Sequence, residues 1–178
     1  MKELAGTKTE QNLQTAFSGE SEARNKYTYF ASVAKKSGYE QMAAIFSETA
    51  DQEKEHAEMW FKYLKGIGDV LQNLESAAAG EHYEWTEMYK TMAEEARQEG
   101  FDEIAHKFEM VAKVEQAHEN RYNKLIKSYS TSTIFDAGTP IKWKCRNCGY
   151  IFEGAAVPDA CPTCNHPRAF FERFCENY

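Results

Sequence analysis

The sequence predicts a mainly α fold, a bundle of four helices, followed by a small C-terminal metal-binding domain. Composition divides the chain, because 1–127 contain no cysteine and no proline precedes Pro140, whereas all five cysteines fall between Cys145 and Cys175. The N-terminal part is also rich in Ala, Glu, Lys, Gln and Met, which favour helices. The last part, 141–178, is too short to fold on a hydrophobic core alone, so a bound metal is expected to stabilise it.

Glycine-containing breaks divide the N-terminal part into helices. The breaks at 36–38 and 99–100 are short, whereas 65–80 is a long connection. The predicted helices are 8–36, 39–65, 70–98 and 101–129. Short loops make the helices of each pair antiparallel neighbours and one long crossover joins the pairs, which is the connectivity of a ferritin-like bundle. A coiled coil is disfavoured, because no helix sustains its heptads without a break.

The predicted domain organisation has three segments. The bundle spans 1–129, a polar linker spans 130–140, and the cysteine-bearing domain spans 141–178. The net charge of −7 disfavours nucleic acid as a partner, because phosphate binding needs a basic surface. The chain has no apolar run long enough for a signal segment or a membrane span, so a cytoplasmic protein that does not contact the membrane is expected.

The two helical pairs repeat one another. The motif Glu-x-x-His at 53–56 recurs at 115–118, and Gly38 recurs at the same offset as Gly100. A Gly-Glu pair at 19–20 recurs at 80–81, where the offset is shorter by one. The pairs therefore resemble two copies of one ancestral hairpin, and a feature present in one copy only becomes informative.

A glutamate interrupts the apolar stripe of each predicted helix. Two helices contribute a single glutamate and the other two contribute Glu-x-x-His, whose members share a helix face. These residues are Glu20, Glu53, His56, Glu81, Glu115 and His118. Clustered buried carboxylates repel one another unless cations compensate them. One such motif alone would indicate an exposed face, but this combination matches the ligand set of di-iron carboxylate bundles.

One further carboxylate breaks the symmetry of the repeat. Glu84 lies three residues after Glu81 and returns to the same helix face, whereas its counterpart in the first pair is Ala23. His82 is about 100° around the helix from Glu81, so we predict that it lies on the surface or behind the ligands, as does His106. The predicted site therefore has an extra carboxylate on one side only.

The cysteine-bearing domain contains two C-x-x-C pairs. These four cysteines predict a tetrahedral metal site, and the sulfur ligands suit zinc and iron alike. The predicted ligands are Cys145, Cys148, Cys161 and Cys164. Gly149 and Asn165 follow the second cysteine of each pair, where a left-handed backbone aims N–H groups at sulfur. Cys175 lies outside the pattern and is expected to be a bystander.

These motifs together resemble those of the rubrerythrin family. The chain carries GESEARNKY at 19–27, EKEH at 53–56 and AGEHYEW at 79–85, and its tail carries CRNCGY and CPTCNHP. The resemblance covers nearly the whole chain. It implies a ferritin-like bundle with two irons and a rubredoxin-like domain with one iron, in which zinc would reflect mis-metallation. It also implies a non-haem peroxidase that reduces hydrogen peroxide to water and protects against oxidative stress.

The resemblance also implies roles for individual residues. Glu53 and Glu115 would bridge the irons, Glu20 would bind the first iron, and Glu81 with His118 would bind the second. Glu84 and His56 would be alternative ligands of the first iron, exchanged when the redox state changes. Tyr27, on the same face as Glu20, is expected to hydrogen-bond a ligand carboxylate, to guide a proton, or to be simply a buried aromatic. A role for Tyr89 rests on the resemblance alone.

The resemblance also implies partners for this chain, while other functions remain as alternatives. By the resemblance, rubredoxin or an NAD(P)H-dependent rubredoxin reductase would supply electrons one at a time through the cysteine site. The resemblance also implies a head-to-tail homodimer in which one subunit's rubredoxin-like domain serves the other's irons. The alternatives are a ferroxidase or oxygen-reducing oxidase, and an iron-storage protein whose tail holds structural zinc.

Overall fold

The computed structural model describes residues 3–177. The helices are α1 (Lys8–Lys36), α2 (Glu40–Tyr63), α3 (Val70–Tyr83), α4 (Tyr89–Gln98) and α5 (Asp102–Ser130), with a π-helical turn (Glu84–Met88) between α3 and α4. The strands β1 (Asp136–Cys145), β2 (Ile151–Ala156) and β3 (Phe171–Arg173) form one antiparallel sheet in the order β2-β1-β3. The predicted fold class, mainly α and ferritin-like with a small C-terminal domain that carries a four-cysteine cluster, is confirmed.

The chain forms two compact units, one ending at Asp69 and the other beginning at Val70. The first contains the α1–α2 hairpin, and the second contains α3 to α5 and the sheet. Strand β1 begins at Asp136, inside the segment predicted as a linker. The three-segment domain organisation stays a prediction. Within residues 3–177, none of the helices is both long and apolar enough to cross a membrane.

Small side chains hold the first hairpin together. The buried residues of α1 and α2 are Ala31, Ala43, Ala50 and Ala57. Their size lets the two helix backbones approach closely, while the rings of Phe17 and Phe61 stack with centroids 4.7 Å apart. Gly38 takes a φ of +83° after α1, a left-handed conformation that ends the helix without steric penalty. The hairpin therefore presents α1 and α2 as rigid neighbours.

The leading helices of the two units differ in length between matching positions of the repeat. The segment from Gly80 to Gly100 has one residue more than the segment from Gly19 to Gly38. The π-helical turn lies within the longer segment, and such a turn accommodates an extra residue inside a helix. The helix predicted over 70–98 is present, but its hydrogen bonding at 84–88 is of the π type, which the sequence analysis did not predict. The physical reason is that one inserted residue leaves the apolar stripe on either side almost unchanged.

After the π turn, residues of the second hairpin again correspond to residues of the first at the same sequence offset as the rest of the repeat. Beyond it, Tyr89 corresponds to Tyr27 at the same offset that relates Gly100 to Gly38. The ring of Tyr27 lies 6.3 Å from that of Phe46, and the ring of Tyr89 lies 5.9 Å from that of Phe108, the counterpart of Phe46. Tyr89 is thus the structural equivalent of Tyr27. An α-helical repeat counted from Glu81 does not place Tyr89 correctly, because the extra residue lies between them.

The C-terminal sheet packs around a compact core. Its buried residues are Trp143, Cys145, Val157, Cys161 and Phe171. The indole N–H of Trp143 donates to the carbonyl oxygen of Gly154 at 2.9 Å, which fixes β1 against β2. Gly149 and Asn165 have φ values of +79° and +57°, so the predicted left-handed conformation after each cysteine pair is confirmed. These turns place the cysteine pairs at one end of the sheet.

Candidate metal sites

Three potential ligands of the first unit lie together. Glu20 of α1 and Glu53 and His56 of α2 each offer a ligand atom, and these atoms lie within 4.8 Å of one another. His56 Nδ1 is 2.8 Å from a carboxylate oxygen of Glu53 and 3.9 Å from one of Glu20. The Glu53 side chain is 17% exposed, whereas His56 is 52% exposed. The imidazole is therefore the more accessible ligand of this cluster.

The second unit repeats this arrangement. Glu81 of α3 and Glu115 and His118 of α5 offer ligand atoms within 4.8 Å of one another. His118 Nδ1 is 2.7 Å from a carboxylate oxygen of Glu115 and 3.6 Å from one of Glu81. The sequence repeat is thus also a repeat of ligand geometry, with two carboxylates and one imidazole in each unit.

The four predicted cysteine ligands also lie together. Their sulfur atoms fall within 4.8 Å of one another, with 3.8 Å between Cys145 and Cys164 and 3.6 Å between Cys148 and Cys161. Four sulfurs about 2.3 Å from a central metal would have tetrahedral edges of about 3.8 Å. The cysteines are free of disulfides, and Cys175 is exposed and outside the cluster. The spacing therefore fits a tetrahedral metal site.

Backbone N–H groups affect the pKa values of two cysteines in this sulfur cluster. A hydrogen bond from the His166 backbone is the main cause that lowers the pKa of Cys164 to about 6. The Tyr150 backbone N–H makes the corresponding contact with Cys148 and lowers its pKa, but burial and hydrogen bonds with the other three cysteines outweigh this contact and raise the pKa to about 12. His166 and Tyr150 each lie two positions after their cysteine, next to the left-handed turns. The turns therefore favour the thiolate form at Cys164, the form that binds metal.

Comparison with known proteins assigns the chain to a family. The family model described as rubrerythrin matches residues 11–126, and the model described as the rubredoxin-like domain of rubrerythrin matches residues 143–172. The chain belongs to the rubrerythrin family. It is 48% identical to a rubrerythrin of Porphyromonas gingivalis, over 99% of this chain and 95% of that protein. It is 47% identical to a rubrerythrin of Nitratidesulfovibrio vulgaris, over 97% of each chain.

A solved structure of nigerythrin in a partially reduced state is also similar. It is 29% identical, with a TM-score of 0.37, over 96% of this chain and 91% of that one. Rubrerythrin membership, together with the carboxylate–histidine clusters and the four-cysteine cluster, supports an iron-based redox function. The donor sets fit iron, because carboxylates and imidazoles bind it in helical bundles and four thiolates bind it in small domains.

Glu84 and Tyr89 lie near the second cluster of this rubrerythrin-family chain. The half-buried Glu84, at the start of the π turn, is outside the set of ligand atoms within 4.8 Å. Burial raises the pKa of Tyr89, and the charges of Glu84, Glu115 and Glu81 raise it further. Tyr27 is half-buried, and its ring centroid lies 6.3 Å from that of Phe30 and 6.3 Å from that of Phe46. The roles of both tyrosines stay predictions.

Glu119 is a feature of the site region that the sequence analysis missed. Its carboxylate accepts a hydrogen bond from Trp85 Nε1 at 2.5 Å and lies 3.1 Å from His82 Nδ1. The Trp85 hydrogen bond is the main cause that lowers the pKa of Glu119. His82 is exposed, as predicted, yet it contacts this carboxylate. A signal was present, because the counterpart of Glu119 in the first pair is Ala57.

His106 also lies on the surface, as predicted. Its side chain is 63% exposed, and its Nδ1 lies 3.8 Å from a carboxylate oxygen of Glu109. That contact joins neighbouring turns of α5 and involves no predicted ligand. His106 therefore belongs to the exposed face of its helix.

Crowding of carboxylates should make the metal-free second cluster unfavourable. Burial raises the pKa of Glu81, and its hydrogen bond and charge interaction with Glu115 raise it further. A carboxyl whose folded pKa exceeds its unfolded value destabilises the fold at high pH. This penalty is absent below the unfolded pKa and grows as pH rises through the folded pKa. At neutral pH, where a glutamate of the unfolded chain is ionised, the raised pKa of Glu81 therefore opposes folding of the metal-free chain.

Glu81→Gln should consequently raise the melting temperature of the metal-free protein at pH 7, by about 2–4 °C for each kcal/mol of repulsion removed. The gain should vanish at pH values below about 4, where Glu81 is protonated in both states. Thermal unfolding followed by circular dichroism at several pH values measures this difference. Glu75→Gln, an exposed position on the same helix, is the matched control. Equal melting temperatures for Glu81→Gln and the parent at pH 7 would contradict the assigned crowding.

Proposed function

We propose that this chain is a non-haem di-iron peroxidase that reduces hydrogen peroxide to water. Electrons would pass one at a time from an iron bound by four cysteines to the di-iron site. The observation that supports this most directly is the presence of both ligand types in one chain. Two carboxylate–histidine clusters accompany a sulfur cluster of tetrahedral dimensions.

The proposal keeps the ligand roles implied by family resemblance. Glu53 and Glu115 would each bind both irons, Glu20 would bind the first iron, and Glu81 with His118 would bind the second. Glu84 and His56 would be alternative ligands of the first iron. His56 is suited to be an exchangeable ligand, because half of its side chain is exposed. Two ferrous ions would supply the two electrons that reduction of one peroxide to two waters requires.

Groups of the chain near these ligands would guide protons. Burial and the neighbouring carboxylates raise the pKa of Tyr89, so its phenol, already protonated at neutral pH, holds its proton more tightly. Its hydroxyl would therefore donate a hydrogen bond close to Glu84 and Glu115 and guide a proton rather than supply its own. Tyr27 would do the same at the equivalent position of the first hairpin. One phenylalanine ring packs near each tyrosine, Phe46 near Tyr27 and Phe108 near Tyr89.

The four-cysteine site would receive electrons from a separate protein. Cys148 is exposed, whereas Cys145 and Cys161 are buried, so one side of the sulfur cluster faces solvent. Rubredoxin or an NAD(P)H-dependent rubredoxin reductase is the proposed donor. We also propose a head-to-tail homodimer in which the four-cysteine domain of one subunit serves the irons of the other. A cytoplasmic location stays a prediction.

Anaerobic stopped-flow spectroscopy of the fully reduced protein tests the proposed activity. We expect oxidation by peroxide to be much faster than oxidation by dioxygen, and metal analysis to give about three irons per chain. Faster reaction with dioxygen would instead favour a ferroxidase or an oxygen-reducing oxidase. A colourless protein with zinc at the cysteines would exclude the electron relay and favour iron storage. An iron-supplemented expression host controls for mis-metallation.

Glu84→Ala should leave iron bound but slow turnover. The chain would lose the carboxylate that compensates one iron in its ferric state, and we expect a loss of about 10–100-fold in kcat. The visible spectrum of the ferric site should change, while iron per chain stays constant. Glu87→Ala, an exposed glutamate on the same π turn, is the matched control. Unchanged peroxide kinetics in Glu84→Ala would remove Glu84 from the site.

A further inference from the structure

A hydrogen-bonded contact anchors the π turn to α5. Trp85, the second residue of the turn, donates its indole N–H to one carboxylate oxygen of Glu119 at 2.5 Å. His82 Nδ1 lies 3.1 Å from the other carboxylate oxygen. Asn123 Nδ2 donates to that same oxygen at 3.4 Å. The Glu119 side chain is 18% exposed and that of His82 is 57% exposed, so only the Trp85–Glu119 part of this contact is partly buried.

The contact brackets Glu84 along the chain. His82 lies two residues before Glu84 and Trp85 lies one residue after it, and both side chains meet the same carboxylate. The rings of His82 and Trp85 also contact each other edge to face, with centroids 5.6 Å apart. The backbone that carries Glu84 is therefore held on both sides by Glu119.

The first hairpin provides an internal comparison. There the counterpart of Glu119 is Ala57, which is buried, and the counterparts of His82 and Trp85 are Ser21 and Arg24. The equivalent helix, α1, is continuous from Lys8 to Lys36. The π turn, its anchor and the extra carboxylate thus occur together in one hairpin and are all missing from the other.

A π turn needs support of this kind. A π turn is rare because an α-helix is the more favourable structure. An inserted residue could also be accommodated at other places along the helix, so a specific contact is needed to fix the turn at one place. A hydrogen bond from the indole to a charged acceptor is stronger than one between neutral groups and has a defined direction. Because Glu119 projects from α5, the same helix as Glu115 and His118, it fixes the turn relative to these two cluster residues.

We propose that Glu119 is a positioning residue that, through Trp85 and His82, holds the π turn in place and thereby sets where the Glu84 carboxylate lies beside Glu81 and Tyr89. The structural part of this inference concerns the chain alone. The part that concerns turnover rests on the proposed peroxidase function. The two parts need different measurements.

Hydrogen exchange of the metal-free protein tests the structural part. Glu119→Ala and Trp85→Phe should both speed exchange of the backbone amides at 84–89, by about 10-fold or more, because the π turn opens more often. Glu119→Gln should exchange more slowly than Glu119→Ala, since its amide oxygen still accepts from the indole. Trp85→Phe keeps an aromatic ring, so it covers the case in which Glu119→Ala fails to fold.

The matched control for exchange is Arg97→Ala. Arg97 pairs with Glu109 across α4 and α5 at 2.5 Å, so its removal breaks another contact between these helices without touching the π turn. Exchange at 84–89 should stay at the parent rate in this variant. Parent-like exchange at 84–89 in both Glu119→Ala and Trp85→Phe would overturn the proposal.

A double-mutant cycle tests the part that concerns turnover. Glu119→Ala should lower kcat by about 10–100-fold with little change in KM or in iron per chain. The double variant Glu84→Ala/Glu119→Ala should be no slower than Glu84→Ala, because the anchor acts through Glu84. Fully additive losses would overturn the positioning role. If the parent protein shows no peroxide turnover, the proposed function fails, while the exchange rates still decide the structural inference.

Discussion

Glu115→Ala should reduce peroxide turnover by more than about 100-fold, since even groups that only orient a metal ligand contribute roughly 10–100-fold. Glu115 is the least exposed carboxylate of its cluster, with 14% of its side chain accessible. It contacts both other members, because His118 Nδ1 lies 2.7 Å away and Glu81 shares a hydrogen bond with it. Its removal therefore leaves the second cluster without its central donor.

Metal analysis and single-turnover kinetics check this expectation. Iron should fall from about three per chain toward one, which the cysteine site retains, and the spectrum of that site should persist. Gln116→Ala is the control, because the neighbouring residue is exposed on the same helix and outside the cluster. Turnover within about tenfold of the parent in Glu115→Ala would show that Glu115 is not a ligand.

Cys161→Ser should unfold the C-terminal sheet domain as well as remove its metal. Cys161 is completely buried beside Trp143, Cys145 and Phe171, so the ligand is also part of the small core. In small metal-bound domains the metal-binding free energy, about 10–16 kcal/mol for structural zinc, is also folding free energy. The hydroxyl of serine would replace a ligand by a buried polar group in that core.

Three measurements separate the effects of Cys161→Ser. The near-ultraviolet circular dichroism of Trp143 should collapse, and NADH-linked turnover should fall to background, about 100-fold or more. Oxidation of the chemically reduced di-iron site by peroxide should persist in a single turnover, because that step does not use the relay. Cys175→Ser, which alters an exposed cysteine outside the cluster, should behave as the parent. Full NADH-linked turnover in Cys161→Ser would exclude the relay.

Much of the fold and the site could be predicted from the sequence, because the repeat made the ligands recognisable. Glutamates within apolar stripes and Glu-x-x-His at a fixed offset identified side chains that the structure groups in each hairpin. The spacing of the C-x-x-C pairs likewise predicted the sulfur cluster. In both cases the recognisable motif is local in sequence. Each motif lies within neighbouring turns of one helix or within one tight turn of the backbone, although the clusters join motifs from distant parts of the chain.

The features that were missed depend on contacts between distant residues. The π turn lengthens the repeat offset by one, a difference that is visible in the sequence but has no structural meaning until the helix is built. Glu119 resembles any surface glutamate until Trp85, 34 residues away, is seen to donate to it. Strand β1 begins in a small, polar segment because its pairing with β2 extends past a register shift between Asp136 and Ile141.

The one-residue difference between the hairpins has an evolutionary consequence. Duplication of a hairpin yields two identical ligand clusters, which differ only after one copy has changed. A single inserted codon in the second copy, absorbed by the π turn at 84–88, leaves Tyr89 and the buried Ala93 matched to their counterparts. Asymmetry between the two clusters therefore requires very little genetic change, and deletion of one codon in this turn is the shortest route back to symmetry.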